Sequence, residues 1–280
     1  MAVILDGKAT SLKVKAGIKE QVDAIIASGG RAPCLAVVLV GEDPASQVYV
    51  RNKIRSCGET GITSKQYILP DSTTEEELIS LVKELNNDKN IDGILVQLPL
   101  PKGINERAVI ETIVPEKDVD AFHPVNVGKM FLGLDSFAPC TPSGIIRLLD
   151  EYNVEIKGKN CVVIGRSNIV GKPMAMLLLG RHGTVIVCHS KTPDISAYTK
   201  NADIVVVAVG KANVVTGDMI KEGAVVVDVG MNRVDGKLCG DCEYESCAAK
   251  ASYITPVPGG VGPMTIAMLL TNTLKAYNDR

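Results

Sequence analysis

Short apolar runs rich in valine and isoleucine recur along this chain at residues 35–40, 93–97, 161–165, 185–188, 204–209 and 224–229. Runs of this length and composition predict strands buried on both faces of a parallel sheet. Between them lie patterns of helical period. Residues 74–86 open on Thr74, carry Glu75, Glu76 and Glu77 in the first turn, and place Leu78, Leu81, Val82 and Leu85 on one face. Acids near a helix N-terminus meet the positive end of its dipole. Strands alternating with helices predict an α/β fold.

The alternation breaks once. Residues 122–142 are rich in Gly and Pro, and a helix over 143–152 follows, with Thr141 or Ser143 as its cap and Pro142 in its first turn. A last apolar helix, 264–277, follows a Pro/Gly loop and returns to the first unit. The expected architecture is therefore two α/β domains flanking a cleft, the second a Rossmann-like parallel sheet. Their boundaries are 1–120 with 266–280, and 121–265 with the linker.

Composition narrows the function classes. The chain has 280 residues, 46% hydrophobic, enough for two domains, and a formal charge of −2. That balance gives no reason to expect a nucleic-acid or anionic-membrane partner. No apolar run approaches a bilayer-spanning length, and Asp6 interrupts the apolar start, so the expected location is the cytoplasm. Eight scattered cysteines then read as free thiols.

Two segments carry candidate chemistry. Residues 161–171 form a strand, a glycine turn and a helix start, with Gly165, Arg166, Ser167 and Gly171 in the turn. Such a turn can present backbone N–H groups to a pyrophosphate. The spacing departs from G-x-G-x-x-G, and an ordinary strand-to-helix turn looks alike. The next strand ends in His189, Ser190, Lys191 and Thr192. Hydroxyls and cations suit a 2′-phosphate, which a carboxylate would repel, so the pattern favours NADP over NAD. Asp194 lies further on and is read as starting the next helix.

The second segment follows strand 35–40. Pro44 suits a first helical turn, and Ser46, Tyr49 and Lys53 then share one helix face. By itself this is equally a surface stripe whose lysine reaches water. Gln97 ends strand 93–97, where open α/β sheets bind ligands, and Asp118 and Asp120 stand among apolar residues.

Taken in order, Ser46-x-x-Tyr49-x-x-x-Lys53, Val96-Gln-Leu-Pro-Leu-Pro101, Asp118-Val-Asp120, Gly165-Arg-Ser167 and Pro258-Gly-Gly-Val-Gly-Pro-Met-Thr265 resemble the bifunctional methylenetetrahydrofolate dehydrogenase/cyclohydrolase family over nearly the whole chain. The resemblance implies NADP-dependent oxidation of methylenetetrahydrofolate, hydrolysis of the methenyl product, a place in one-carbon metabolism and purine biosynthesis, and a homodimer. It implies Lys53 as the central hydrolytic residue, Gln97 as its hydrogen-bond partner, and Asp120 as the pterin anchor. Tyr49 would pack on the aminobenzoyl ring, and Ser46, Leu98, Pro258 and Gly262 would contact the substrate. Gly165, Arg166, Ser167, Ser190 and the backbone of Met231 would hold NADP. One departure stands out: the family pattern usually has Gly where Ala121 follows Asp120.

Other features point to less. Cys239-x2-Cys242-x4-Cys247 lacks the second pair of a structural zinc site, so buried thiols are the simpler account and no metal is expected. His123, His182 and His189 have no metal spacing, and His123 reads as structural. A shikimate dehydrogenase-like enzyme and a non-catalytic NADP-binding protein are the competing readings. The Tyr49/Lys53 helix and the 258–265 loop speak against the first; Lys53, Gln97 and Asp120 speak against the second.

Overall fold

A computed structural model describes residues 2–280. In chain order it contains β1 (Val3–Ile4), α1 (Gly7–Ala27), β2 (Cys34–Val40), α2 (Pro44–Thr60), β3 (Thr63–Leu69), α3 (Glu75–Asn87), β4 (Gly93–Val96), α4 (Glu106–Thr112), α5 (Pro124–Phe131) and α6 (Cys140–Glu151). Then come β5 (Asn160–Ile164), α7 (Gly171–Gly180), β6 (Thr184–Cys188), α8 (Ser196–Thr199), β7 (Ile204–Val207), β8 (Val225–Asp228), β9 (Asn232–Val234), β10 (Lys237–Cys239), α9 (Tyr244–Lys250), β11 (Tyr253–Ile254) and α10 (Val261–Asn278). The chain forms two compact α/β units. The first is Leu12–Cys140 with Ile266–Arg280; the second is the chain up to Ser11 with Thr141–Thr265.

The first unit holds a parallel sheet of order β3-β2-β4. Every residue of β2 is buried, and the strand's period of two assigns its side chains to two cores. Leu35, Val37 and Leu39 meet Ile18 and Val22 of α1, Val50 and Cys57 of α2, and Leu269, Leu270 and Leu274 of α10. Ala36, Val38 and Val40 meet Leu78, Val82 and Leu85 of α3 and Val109 of α4. α3 opens after Thr74 with its acids in the first turn, as expected, and a reciprocal pair closes its start: Thr74 Oγ1 accepts the Glu77 N–H, and the Glu77 carboxylate accepts the Thr74 N–H.

At the other end of α3, the buried Lys117 ammonium donates to the carbonyls of Leu85 and Asp88, each at 2.8 Å. Burial pushes its pKa down from 10.5 to about 8. A lowered lysine pKa means the unfolded chain holds the proton where the folded one has released it. Wild type should therefore gain stability relative to Lys117→Met as pH rises from about 8 to 10.5. Thermal unfolding of both proteins across that range checks this; a constant difference would contradict it.

The second unit is a six-stranded, all-parallel sheet of order β1-β11-β8-β7-β5-β6, with the antiparallel hairpin β9–β10 beside it. Strands β7 and β8 are buried throughout.

Several expectations are corrected. Strand β6 is not buried on both faces. It is a sheet edge, and Ile186 and Val187 are 40% and 39% exposed. Helix α6 starts at Cys140, so neither Thr141 nor Ser143 caps it; the Thr141 hydroxyl instead pairs with that of Thr265 at 2.9 Å. Helix α10 starts at Val261, three residues before the expected start, because Gly262 and Pro263 fit a first turn. The unit boundaries also differ from those expected. The N-terminal residues pair with β11 in the second sheet, and the expected linker packs into the first unit through Ala121, Phe137 and Cys140.

Candidate functional site

Helix α2 follows the carboxyl end of β2. The Asp43 carboxylate accepts the Ser46 N–H at 2.7 Å, and Pro44 needs no N–H in the first turn. The accepted bonds hold the Asp43 pKa below its usual value. The helix ends at Gly61, φ 78°, whose N–H donates to the Cys57 and Gly58 carbonyls. Its buried face carries Ser46, Val50, Lys53, Ser56, Cys57 and Thr60. Lys53 is only 9% exposed, which rules out the solvent-facing stripe, while Tyr49 on the preceding turn is 37% exposed.

A buried amine needs a partner. Lys53 Nζ donates to Gln97 Oε1 at 3.0 Å. The amide of Gln97 is itself held, because Nε2 donates to the Leu98 carbonyl at 2.6 Å. Gln97 stands just past the carboxyl end of β4, at the start of a turn with a cis Leu98–Pro99 bond. Asp120 completes the group. Desolvation pushes its pKa up, and the Lys53 charge opposes that shift; part of its surface stays accessible, but protein encloses the carboxyl. Cys140 Sγ lies 3.8 Å from Asp120 Oδ1, and burial drives the thiol pKa up. One amine, one amide and one carboxyl thus converge in the first unit, next to an aromatic ring.

Asp118 supports this group from below. It is fully buried, and its carboxylate accepts the His123 N–H (2.8 Å), the Phe122 N–H (3.3 Å) and the Asn126 amide (2.9 Å). His123 then caps α5 through Nδ1, a structural role.

The remaining candidates lie in the second unit. Gly165 has φ 126°, and a Cβ there would stand 2.2 Å from the Ala208 carbonyl oxygen; a Cβ at Gly171 would stand 2.2 Å from the Gly165 oxygen. The turn between β5 and α7 therefore admits no side chain at either glycine. The Ser167 hydroxyl accepts the N–H groups of Val170 and Gly171 at the start of α7. Arg166, Ser190 and Lys191 are exposed. The Asp194 carboxylate is occupied at the start of α8 by the Ser196 and Ala197 N–H groups. Met231 and Gly262 are neighbours, since a Cβ at Gly262 would stand 3.7 Å from Met231 Cε. Pro258 is exposed, and Gly259 in its loop accepts the Lys8 N–H at 2.9 Å.

All eight cysteines are free thiols. Cys242 and Cys247 are buried, and a hydrogen bond between the two thiols, together with burial, pushes Cys242 well above its usual pKa. Among the described residues no cluster of His, Cys, Asp or Glu is placed to hold a metal ion.

Residues 5–120 match the catalytic domain of tetrahydrofolate dehydrogenase/cyclohydrolase, and residues 139–280 match the NAD(P)-binding domain of the same family. The chain belongs to the tetrahydrofolate dehydrogenase/cyclohydrolase family. The bifunctional protein FolD of Moorella thermoacetica is 59% identical, over 98% of both chains. The crystal structure of the FolD dehydrogenase/cyclohydrolase from Campylobacter jejuni is 52% identical, covers 100% of both chains and superposes with a TM-score of 0.98. The Trypanosoma brucei dehydrogenase-cyclohydrolase, solved with NADP and an inhibitor, is 40% identical with a TM-score of 0.95, covering 99% of this chain and 98% of that one.

Against the family pattern, Ala121 is the informative departure. Its φ is 60°, the left-handed region where glycine is at ease, and it is fully buried. Strain of about 1–2 kcal/mol is expected there. Ala121→Gly relieves it but forfeits a buried methyl worth about 0.8 kcal/mol and adds chain entropy of about 0.5–1 kcal/mol. These terms nearly cancel, so Ala121→Gly should unfold at almost the wild-type temperature. Ala121→Val, β-branched and larger, should lose about 2 kcal/mol. Equal melting of all three proteins would contradict the strained geometry.

Sequence reasoning missed two supporting carboxylates in the second unit. Asp228 ends β8 and accepts the N–H groups of Gly230, Asp241 and Cys242. Burial still pushes its pKa up. Asp241 accepts those of Val209, Gly210 and Lys211 and the Asn232 amide. Together they fix the loop that carries Met231. The available signal was a carboxylate closing an all-valine strand.

Proposed function

We propose that this family member works as both enzymes in one chain. It oxidises 5,10-methylenetetrahydrofolate to 5,10-methenyltetrahydrofolate with NADP, then hydrolyses the product to 10-formyltetrahydrofolate. The observation that carries the reading is the buried Lys53 bonded to a locked Gln97, with Asp120 beside it.

The second unit suits the cofactor. Its tightly packed glycine turn leads directly into the N-terminus of α7, the kind of helix end that receives a pyrophosphate. Arg166, Ser190 and Lys191 are exposed, and the Asp194 carboxylate is turned to its own helix. This set favours a 2′-phosphate, so Gly165, Arg166, Ser167, Ser190 and the Met231 backbone are assigned to NADP. When bound, NADP supplies the acceptor for the hydride.

The protein's own groups then have distinct tasks. Hydride leaves the methylene carbon between two nitrogens, whose lone pairs stabilise the resulting cation, so orientation dominates this step. Asp120 anchors the pterin through its N–H groups, and Tyr49 packs on the aminobenzoyl ring. Ser46, Leu98, Pro258 and Gly262 are assigned substrate contacts, Ser46 from a buried position. In the second step water adds to the methenyl carbon, and Lys53 accepts the proton released. The carbon–N5 bond then breaks as the added hydroxyl gives up its proton and becomes the formyl oxygen; N5 takes up a proton, and the carbon stays on N10 as the formyl group. Gln97 holds Nζ in place throughout.

The same reading places the chain in the cytoplasm, supplying formyl groups to purine biosynthesis. Eight free thiols suit a reducing compartment. It also makes the protein a homodimer, for which the exposed edge strand β6 with Ile186, Val187 and Leu179 offers an apolar face. Among the described residues no helix is long and apolar enough to cross a membrane.

The test is to mix purified protein with methylenetetrahydrofolate and either NADP or NAD. NADPH should form, with NAD the poorer acceptor. Absence of turnover with either would overturn the proposal.

A further inference from the structure

Helix α10 returns to the first unit and carries a buried amide within the stretch that supplies Leu269, Leu270 and Leu274 to that unit's core. Asn272 is 6% exposed and lies among Leu269, Leu270 and Leu274. An amide in a helix interior is a poor helix former, and its burial is unfavourable unless it is bonded. Here it is bonded, to two separate chain segments. Nδ2 donates to the Val119 carbonyl at 2.8 Å and to the Ala138 carbonyl at 3.1 Å. The same nitrogen lies 3.7 Å from Cys140 Sγ.

Those two segments meet at Asp120. Val119 immediately precedes it. Cys140 Sγ bonds the Val119 carbonyl at 3.4 Å and lies 3.8 Å from Asp120 Oδ1. The bridge from this segment to β4 joins Ile94 to Asp118, just before the Val119–Asp120 peptide. On the far side, Ala121 turns the chain sharply at φ 60°. The Val119 carbonyl, in the peptide that leads into Asp120, is thus held by Asn272 and Cys140. A planar amide with two donors and two fixed carbonyls holds it in one orientation.

We propose that Asn272 is a positioning residue for the substrate-binding step, aiming Asp120 through the Val119 carbonyl. The proposal rests on the reading of Asp120 as the pterin anchor. The experiment uses Asn272→Leu, Asp120→Ala and Val82→Ala, the last a core change in the α3 layer that lowers stability away from Asp120. For Asn272→Leu, KM for methylenetetrahydrofolate should rise about tenfold or more, because small misplacements of a binding group are costly. KM for NADP and kcat should stay within about twofold of wild type. Val82→Ala should melt earlier with its folate KM unchanged. If Asn272→Leu does not fold, Asn272→Ser, too short to span both carbonyls, carries the same expectation. A lowered melting temperature with unchanged folate KM would overturn the proposal, as would an equal KM rise in Val82→Ala. If Asp120→Ala raises KM and the Asn272 variants do not, the positioning role alone fails. If Asp120→Ala leaves KM unchanged, the anchor reading fails and the proposal with it.

Discussion

Lys53→Ala should hydrolyse methenyltetrahydrofolate about a thousandfold more slowly than wild type while still reducing NADP with methylenetetrahydrofolate. The expected size is that of losing a positioned general acid–base group, about 10²–10⁴-fold. The asymmetry follows from the chemistry. Hydride transfer moves no proton, so it depends on orientation, whereas water addition must release one. Lys53 is the buried amine of this group, and Gln97 holds it at 3.0 Å. Removing Lys53 also removes the charge that offsets burial of Asp120, so some rise in folate KM should accompany the loss. Following NADPH and the methenyl chromophore separately in the variant checks both halves. Normal hydrolysis by Lys53→Ala would remove the residue from the mechanism.

Gly165→Ala should be among the most damaging single methyls in the second unit. Two penalties coincide there. The backbone sits at φ 126°, outside the regions open to an alanine, and the new Cβ would stand 2.2 Å from the Ala208 carbonyl oxygen. That oxygen belongs to backbone next to β7, so it cannot swing away as a side-chain tip would. A cost of about 4 kcal/mol is expected from strain and overlap together. The turn also starts α7, so what relaxes is the surface assigned to the pyrophosphate. Thermal unfolding and an NADP fluorescence titration should show early melting and loss of cofactor binding. A variant that melts normally and binds NADP normally would mean that this turn does not hold the cofactor.

What the sequence shows and what it hides separate along physical lines. The central strands were readable because burial on both faces demands unbroken apolar runs, as in 35–40 and 204–209. The start of α3 was readable because Thr74 and the acids that follow it act locally. Strand β3 was not, because an edge position tolerates Thr-Ser-Lys-Gln-Tyr. Long-range pairing also hid the N-terminal strand, two residues whose partner, β11, is some 250 positions away.

The site divides the same way. Ser46, Tyr49 and Lys53 could be placed on one helix face, but spacing cannot tell a solvated lysine from a buried one. Only the fold brings Gln97 and Asp120 to it. Asn272, Cys140, Asp228 and Asp241 act by tertiary contact and leave little local pattern. The folate assignment came from family resemblance, which the family matches over 5–120 and 139–280 support.

The most direct measurement supplies wild-type protein with methylenetetrahydrofolate and NADP and quantifies NADPH and 10-formyltetrahydrofolate in the same reaction. Equal molar yields are expected, with formyl product appearing well ahead of spontaneous hydrolysis. NADPH formed while methenyltetrahydrofolate accumulates and decays only at its uncatalysed rate would contradict a second activity in this chain.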